Sequence, residues 1–426
     1  MQQRDRLIFT HATQLVTPHQ ETPHTFPSLH ILTDAAVAIE GEQILGVGVT
    51  ADILEQFDDE SAQVFDLTGK LIAPGFVDCH THPVFAATRQ DEFEMRISGK
   101  SYQEIAAAGG GIKASVRRVR QASEELLYLQ AWKRLDRFLG HGTTVIEAKS
   151  GYGLNFDEEV KLLKVIRELN QHHPVELVPT FLGAHEVPEE YINRKAYYIE
   201  ILVQEMIPAI AEQRLAVFCD VFCEERVYSL DESRKILEAA QRYGLIPKIH
   251  AEQLSSSGAA RLAAEIGAIS ADHLDYINDD DIAALSNSGL VPVILPGAVF
   301  FLGLHRYAPA RKMIQAGLSV ALATDFNPGS CPSQSMPMMM ALACTQMKMS
   351  PAEAFVASTL NGAKALNLTH KIGRLTPGYQ ADVVIYHLTD FRLIPYYFGM
   401  NFVDRVIKKG KIVHQNTQCI GDCDPC

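Results

Sequence analysis

From Leu71 to about Leu368, apolar runs rich in β-branched residues alternate with stretches whose apolar positions recur at helical spacing. Eight runs stand out: Leu71–Cys79, Thr143–Ala148, Val175–Leu182, Leu215–Phe222, Leu245–Ile249, Ala268–Ala271, Leu290–Leu295 and Leu318–Thr324. Between them lie helical patterns such as Glu124–Leu139, Glu158–Leu169, Tyr191–Ala211, Glu232–Tyr243 and Ala259–Glu265. A strand buried on both faces reads as a continuous apolar run, and parallel strands need a crossover, usually a helix. Eight such units over about 250 to 300 residues predict an α/β fold, a closed (β/α)8 TIM barrel over residues 71–371.

Both ends read differently. Short alternating segments (Ala36–Glu40, Gln43–Val47, Gln63–Asp66) with turn residues fill the first 70 positions, and the pattern returns at Ala381–Tyr386, Val403–Lys408 and Lys411–Val413. Residues 1–70 and 372–426 are therefore expected to build one small β-sandwich domain flanking the barrel. The polar, Pro- and His-containing stretch Thr17–His30 is expected to be a mobile loop between strands.

Composition narrows the class. An apolar content of 47% can build a large core, and the formal charge of −13 comes without a basic stripe, so nucleic acid is not an expected partner. No stretch reaches the ~18 uninterrupted apolar residues of a membrane span. The opening residues lack the apolar core of a signal peptide, and the expected location is the cytoplasm. Eight cysteines over this length do not form a disulfide framework. Five (Cys79, Cys219, Cys223, Cys331, Cys344) are expected to be reduced; Cys419, Cys423 and Cys426 read as a frayed, silent tail.

The candidate chemistry lies in the polar residues that follow the apolar runs. His80 and His82 end the first, and their spacing points both side chains the same way. With 16 His in 426 residues, chance alone gives roughly half a His-x-His, so position rather than spacing carries the signal. The second run is followed by Lys149, Ser150, Gly151, Tyr152 and Gly153; the third by His185; the fifth by His250, Glu252 and Gln253; the sixth by Asp272 and His273; the eighth by Asp325. Each alone reads as a structural polar residue. Five strand ends carrying His or Asp converge on one pocket if the strands close into a barrel. Three imidazoles and one carboxylate around a divalent ion leave a position for water, whose pKa falls from 15.7 to about 7. Asp325 would be both ligand and proton acceptor, with His273 beside it hydrogen-bonding a developing oxyanion. This is the pattern of a hydrolysis site.

The motifs Pro74-Gly75-Phe76-Val77-Asp78-x-His80-x-His82, His250, His273 and Asp325, with the late Gly373-x-Leu375-x-Pro377-Gly378-x-x-Ala381-Asp382, resemble the amidohydrolase superfamily. Within it, Glu147-Ala148-Lys149-Ser150-Gly151-Tyr152-Gly153-Leu154, His250-Ala251-Glu252-Gln253-Leu254 and Thr324-Asp325-x-Asn327-Pro328-Gly329-Ser330 resemble the imidazolonepropionase family, over nearly the whole chain. That resemblance implies one Zn or Fe ion per subunit on His80, His82, His250 and Asp325. Some superfamily members hold two metals bridged by a lysine on the fourth strand. Here the fourth run ends in Asp220–Glu225 without one, and Lys149, after the second run, reads as structural or as a residue standing behind the ligands.

The implied substrate is the small molecule 4-imidazolone-5-propanoate, a ring amide with a carboxylate tail, opened to N-formimidoyl-L-glutamate in the third step of histidine breakdown. Arg89, on the loop after the first run, would grip the tail with its planar guanidinium. Tyr152 would close over the ring or donate its hydroxyl. His185 and Gln253 would hydrogen-bond the ring, Gln253 with a catalytic part, and Asn327, Gly329 and Ser330 would contact substrate or product. Glu252 neighbours a ligand, but alternation turns it away from the metal. Met336, Met338, Met339 and Met340 read as core packing, and Gly109-Gly110-Gly111 as a hinge in a loop over the barrel mouth. The resemblance further implies a homodimer. A barrel serving only as a scaffold would be free to lose metal ligands, whereas all four ligand types and His273 are present.

Overall fold

The computed structural model describes residues 6–19, 28–100, 104–105 and 109–416. Eight parallel strands form one sheet in sequential order: Phe76–Asp78, Thr143–Lys149, Glu176–Ala184, Phe218–Cys223, Ile246–Ala251, Ser270–His273, Val291–Ile294 and Ala321–Leu322. Each of the eight expected runs contains one of these strands, some starting later and some running further than the pattern predicts. The first and eighth strands meet at the C-terminal rim, where the His82 N–H donates to Phe326 O at 2.8 Å and the Asp325 N–H to His80 O at 3.1 Å. The buried Asp78 carboxylate adds a link by accepting from the Thr324 N–H (3.0 Å) and hydroxyl (2.6 Å). Lower down, the Val77 N–H donates to Ser358 O at 3.0 Å and the Asn361 amide to Val320 O at 2.8 Å, so residues 358–362 fill the seam. Gly362 permits that approach: a Cβ there would sit 2.4 Å from Val77 O.

The barrel starts later than the pattern predicts. Leu71–Pro74 pairs antiparallel with Val383–Tyr386, outside the barrel, and only Phe76–Asp78 joins the parallel sheet. Gly75 makes the switch where a Cβ would lie 2.3 Å from Thr144 Oγ1, so an apolar run read as one strand serves two sheets. The eighth strand is also shorter than expected, because the Thr324 N–H turns to Asp78 instead of a ladder partner. Tyr191–Ala211 is not one regular helix. It runs as a 3₁₀ segment Glu189–Arg194, a helix Lys195–Ile201, a π turn Leu202–Met206 and a helix Ile207–Glu212. The wide turn precedes Pro208, which has no N–H to give the ladder.

Two further sheets come from the chain ends. One contains Gln43–Val49, Ala35–Glu40, Arg6–Ala12 and Ala62–Asp66; the other contains Lys411–Gln415, Val403–Lys408, Val383–Tyr386, Leu71–Pro74, Gln14–Pro18 and Leu29–Leu32. Phe9, Val37 and Ile39 of the first pack against Leu15, Ile72, Val383, Ile385 and Ile407 of the second. The opposite face of the larger sheet (Leu71, Ala73, Val384, Val406) joins the barrel core, so this sheet is buried on both sides. The hairpin of Gln14–Pro18 with Leu29–Leu32 brackets the expected loop, of which residues 20–27 lie outside the described part.

A partly buried ion cluster ties the barrel's N-terminal end to the larger sheet. Glu176, first residue of the third barrel strand, meets Lys371 at 2.6 Å and Lys408 at 3.2 Å, and Lys408 also meets Asp382 at 2.7 Å. Burial pushes the Glu176 carboxyl up, but the lysines outweigh it and hold it down at about 2. Met336, Met339 and Met340 are buried in the helix Met336–Met347, as core packing. The tail cysteines Cys419, Cys423 and Cys426 lie outside the described residues, and no helix among the described ones is long and apolar enough to cross a membrane.

Candidate metal centre

Successive inward side chains of a barrel strand repeat every second residue, so each strand stacks layers inside the barrel. Here the inner layers are charged. His80 and His82 follow the first strand, and His250 lies in the fifth. His273 ends the sixth, and Asp325 follows the eighth; all are buried. His80 Nε2 lies 3.6 Å and His82 Nε2 3.8 Å from Asp325 Oδ1. The His80 ring is 4.5 Å from that of His250 and 5.4 Å from that of His273.

Among the described residues three sets of ligand atoms lie close enough to share an ion, and two of them are built on the imidazoles: His80, His82 and Asp325, and His80, His250 and His273; the third joins His80 to Glu147 and Asp272 below. His80 belongs to all three. Tetrahedral ligands held at about 2.1 Å from a metal stand roughly 3.4 Å from one another, close to the separations at Asp325. Buried polar atoms normally have partners, yet His80 Nε2 and the Nδ1 atoms of His82 and His273 have none. Burial holds the imidazoles of His80, His82 and His273 well below their ordinary pKa, in the neutral form a metal requires. The donor set fits a divalent ion.

The far sides of two imidazoles face carboxylates, through a hydrogen bond at His80 and through a close contact without hydrogen-bond geometry at His250. His80 Nδ1 is 2.6 Å from Asp272 Oδ2, and His250 Nδ1 is 3.0 Å from Asp220 Oδ2. Carboxylates so placed fix the tautomer that presents Nε2 to a metal. Burial raises the Asp325 carboxyl to about 7, against the pull of His250 and of hydrogen bonds from its own loop. His273 and Asp325 take positive φ values of 82° and 54°, sparsely populated for residues with a side chain. Such strain costs about 1–3 kcal/mol per residue and collects at functional sites.

A wall of polar and aromatic groups stands next to the imidazoles. His185 stacks on His82 with ring centroids 5.1 Å apart, and its Nδ1–H donates to Gly151 O at 2.9 Å. Burial lowers its pKa to about 3, so it stays neutral. Tyr152, buried, lies 5.8 Å from the His82 ring and 5.4 Å from that of His185. Burial raises its phenol, keeping the hydroxyl protonated as a donor. Its loop is held by Glu159, whose carboxylate accepts from the N–H groups of Gly151, Gly153 and Leu154 at 2.7–3.0 Å. The Arg89 guanidinium lies against Gly329, where a Cβ would fall 1.0 Å from Arg89 Nη2, and it is near enough to His185 and Tyr152 to oppose the one's protonation and favour the other's ionisation.

Comparison with known proteins agrees with this geometry. The model of the Amidohydrolase family matches residues 71–413. An imidazolonepropionase of Geobacillus sp. (strain WCH70) is 45% identical over 96% of this chain and 97% of its own, and one of Solibacter usitatus (strain Ellin6076) is 48% identical over 95% and 97%. The chain belongs to the amidohydrolase family, among its imidazolonepropionases. Solved amidohydrolase-like folds include the E. coli guanine deaminase, with a TM-score of 0.74 at 16% identity over 96% of this chain and 99% of that one. An adenosine deaminase from Xanthomonas campestris with bound zinc has a TM-score of 0.65 at 19% identity over 95% and 92%. At such identities these structures speak for the fold alone.

In this chain the expected ligands and His273, His185, Tyr152 and Arg89 lie together at the C-terminal rim of the barrel, while other expected residues sit otherwise. Asn327 was expected against the substrate. Its amide instead donates to Asp325 O and Ser330 Oγ, both at 2.6 Å, and its oxygen accepts from the Gly329 and Ser330 N–H groups. With donors and acceptor used inside its own turn, Asn327 shapes the loop that aims Asp325. The Ser330 hydroxyl donates to Asp325 Oδ2 at 3.1 Å. Gln253 is half-buried on the same rim. Glu252 turns away from the imidazoles, as alternation requires, and its carboxylate accepts from the Ala260 N–H at 3.0 Å at the head of the helix Ala259–Glu265. Gly109 and Gly111 take left-handed φ of 85° and 80°, consistent with a bend there, while residues 106–108 lie outside the described part.

Sequence reasoning named Asp220, Asp272 and Lys149 without their partners, and missed the loop-holder Glu159 and the part Glu147 and Lys248 take in a buried floor of charge. A signal for the floor exists. Glu147 with Lys149, and Lys248 with His250, sit two apart in strands whose other residues are apolar, which marks the inner face of a barrel.

Proposed function

We propose that this chain hydrolyses the ring amide of 4-imidazolone-5-propanoate to N-formimidoyl-L-glutamate, using one zinc or iron ion held by His80, His82, His250 and Asp325. The observation that carries the reading is the meeting, at one end of the barrel, of four imidazoles with Asp325 and an arginine reaching over Gly329. When bound, a divalent ion supplies Lewis acidity and brings the pKa of water from 15.7 towards 7.

The remaining work falls to side chains. In the overall reaction water's oxygen joins the ring carbonyl carbon, the ring C–N bond breaks, and a proton moves to the departing nitrogen. Asp325 Oδ2, steadied by the Ser330 hydroxyl, accepts that proton and returns it. His273, 5.3 Å ring to ring from His250, donates to the oxygen on which charge develops. Arg89 pairs with the propanoate tail through two parallel N–H groups, orienting the ring. Tyr152 and His185 cover one side of the ring and exclude water; Gln253 hydrogen-bonds it from the rim, and the Gly329–Ser330 turn lines the tail.

A homodimer in the cytoplasm completes the reading, supported by the family resemblance rather than by any contact described above. The deciding assay offers the purified chain imidazolone propanoate beside guanine and hydantoin. Turnover of imidazolone propanoate alone is expected; preference for guanine would overturn the substrate assignment.

A further inference from the structure

Five charged side chains, all fully buried, form a layer beneath the imidazoles: Glu147, Lys149, Asp220, Lys248 and Asp272. Three carboxylates and two ammonium groups in a dry interior are costly unless their geometry is good and their hydrogen bonds are satisfied. The two lysines are not equivalent. Lys149 Nζ lies 2.6 Å from Asp220 Oδ2, 2.9 Å from Glu147 Oε1 and 3.6 Å from Asp272 Oδ2. Lys248 Nζ reaches Glu147 Oε2 at 2.8 Å and Cys79 O at 3.1 Å, and stands 4.0 Å from Asp272.

Asp220 Oδ2 and Asp272 Oδ2 are the same oxygens that face His250 Nδ1 at 3.0 Å and His80 Nδ1 at 2.6 Å. We propose that Lys149 is a positioning residue for the metal centre, hydrogen-bonded to the Asp220 carboxylate that faces His250 and in ion contact at 3.6 Å with the Asp272 carboxylate that holds His80. The inference rests on the reading that these imidazoles hold the ion. An ammonium has three donors and no preferred plane, so it can hold several carboxylates at once. Thr180 adds to the frame, its hydroxyl donating to Glu147 Oε1 at 2.5 Å. Lys149 thereby couples two ligands from different strands whose rings lie 4.5 Å apart, and a shift of its Nζ moves both.

The test measures Zn²⁺ affinity of the full chain by competition with a chelator, and the visible spectrum of the Co²⁺-loaded protein, for K149M, K248M and H80A. Loss of an outer partner of a metal ligand typically weakens binding about 10- to 100-fold. K149M, touching two such partners, is expected to weaken Zn²⁺ binding by about 100-fold and to shift the Co²⁺ spectrum. K248M, which removes the same charge from the same layer, is expected to cost less than about tenfold and to leave the spectrum in place.

Equal losses in the two lysine variants would reduce Lys149 to general charge balance and overturn the proposal. So would wild-type affinity in K149M when H80A has lost the ion. If H80A itself keeps wild-type affinity, the ligand assignment has failed first and the inference goes with it. Should K149M not fold, K149M/D220N removes the ammonium together with a partner carboxylate. That protein is expected to bind Zn²⁺ as weakly as D220N or weaker, and wild-type affinity in it would refute the role.

Discussion

The third barrel strand, Glu176–Ala184, starts at a partly buried carboxylate and is followed by a buried imidazole, and the two ends are built on opposite rules. At its start every polar atom of Glu176 is paired, with Lys371, Lys408 and Gln380 around one carboxylate. Just past its end, His185 faces a cluster whose members His80, His82 and His273 keep buried nitrogens without partners. Satisfied charge holds the barrel to the sheet; unsatisfied nitrogen and strained backbone mark the place where something else must bind. The difference separates a structural cluster from a reactive one without reference to any relative.

The sharpest way to break that contrast is to remove the ion. Prolonged chelation is expected to abolish turnover, and added Zn²⁺ or Fe²⁺ to restore it, while the Glu176 end stays folded by circular dichroism. Activity that persists in protein verified metal-free by elemental analysis would remove the reactive reading from the imidazole cluster.

Next in size is His273→Asn, expected to cost on the order of 10² to 10⁴ in kcat, as for an acid–base or oxyanion group. Metal content should stay near that of the parent, since His80, His82, His250 and Asp325 are untouched. Near-normal kcat would place His273 among the structural imidazoles.

A smaller effect is expected from Arg89→Ala. A charge-assisted hydrogen-bonded pair contributes roughly 1.5–3 kcal/mol, or about 10- to 100-fold. That loss should appear mainly in KM for a substrate with a carboxylate tail. An unchanged KM would show that the tail binds elsewhere.

Much of this was legible because barrels obey periodicity. The eight apolar runs were visible since strands buried on both faces leave no alternation to confuse, and the candidate ligands were visible because they end those runs. What stayed hidden depends on tertiary closure. Gly75 divides a run that reads as one strand, and only the approach of Thr144 reveals why. Asn327 reads as a substrate contact by its place beside Asp325, but its amide is used up in a turn that only the folded loop displays. Asp220 and Asp272 were visible as polar residues; their partners, His250 and His80, lie on other strands and no spacing joins them.

The smallest expected effect lies at the paired end. With its folded pKa held at about 2, below the ordinary 4.5, Glu176 contributes stability that is present above about 4.5 and is lost as pH falls towards 2. Its side chain is 16% exposed, and after allowance for solvent the contribution is roughly 2–3 kcal/mol. Glu176→Gln should therefore lower unfolding free energy at neutral pH by about that amount, leave metal content and kcat unchanged, and narrow its deficit against the parent below pH 4. Denaturant titrations of both proteins at several pH values check this. A deficit that stays constant from pH 7 to pH 3 would show that the lysines do not hold this carboxylate ionised, and a fall in kcat at neutral pH would show that the two ends of the strand are not separate after all.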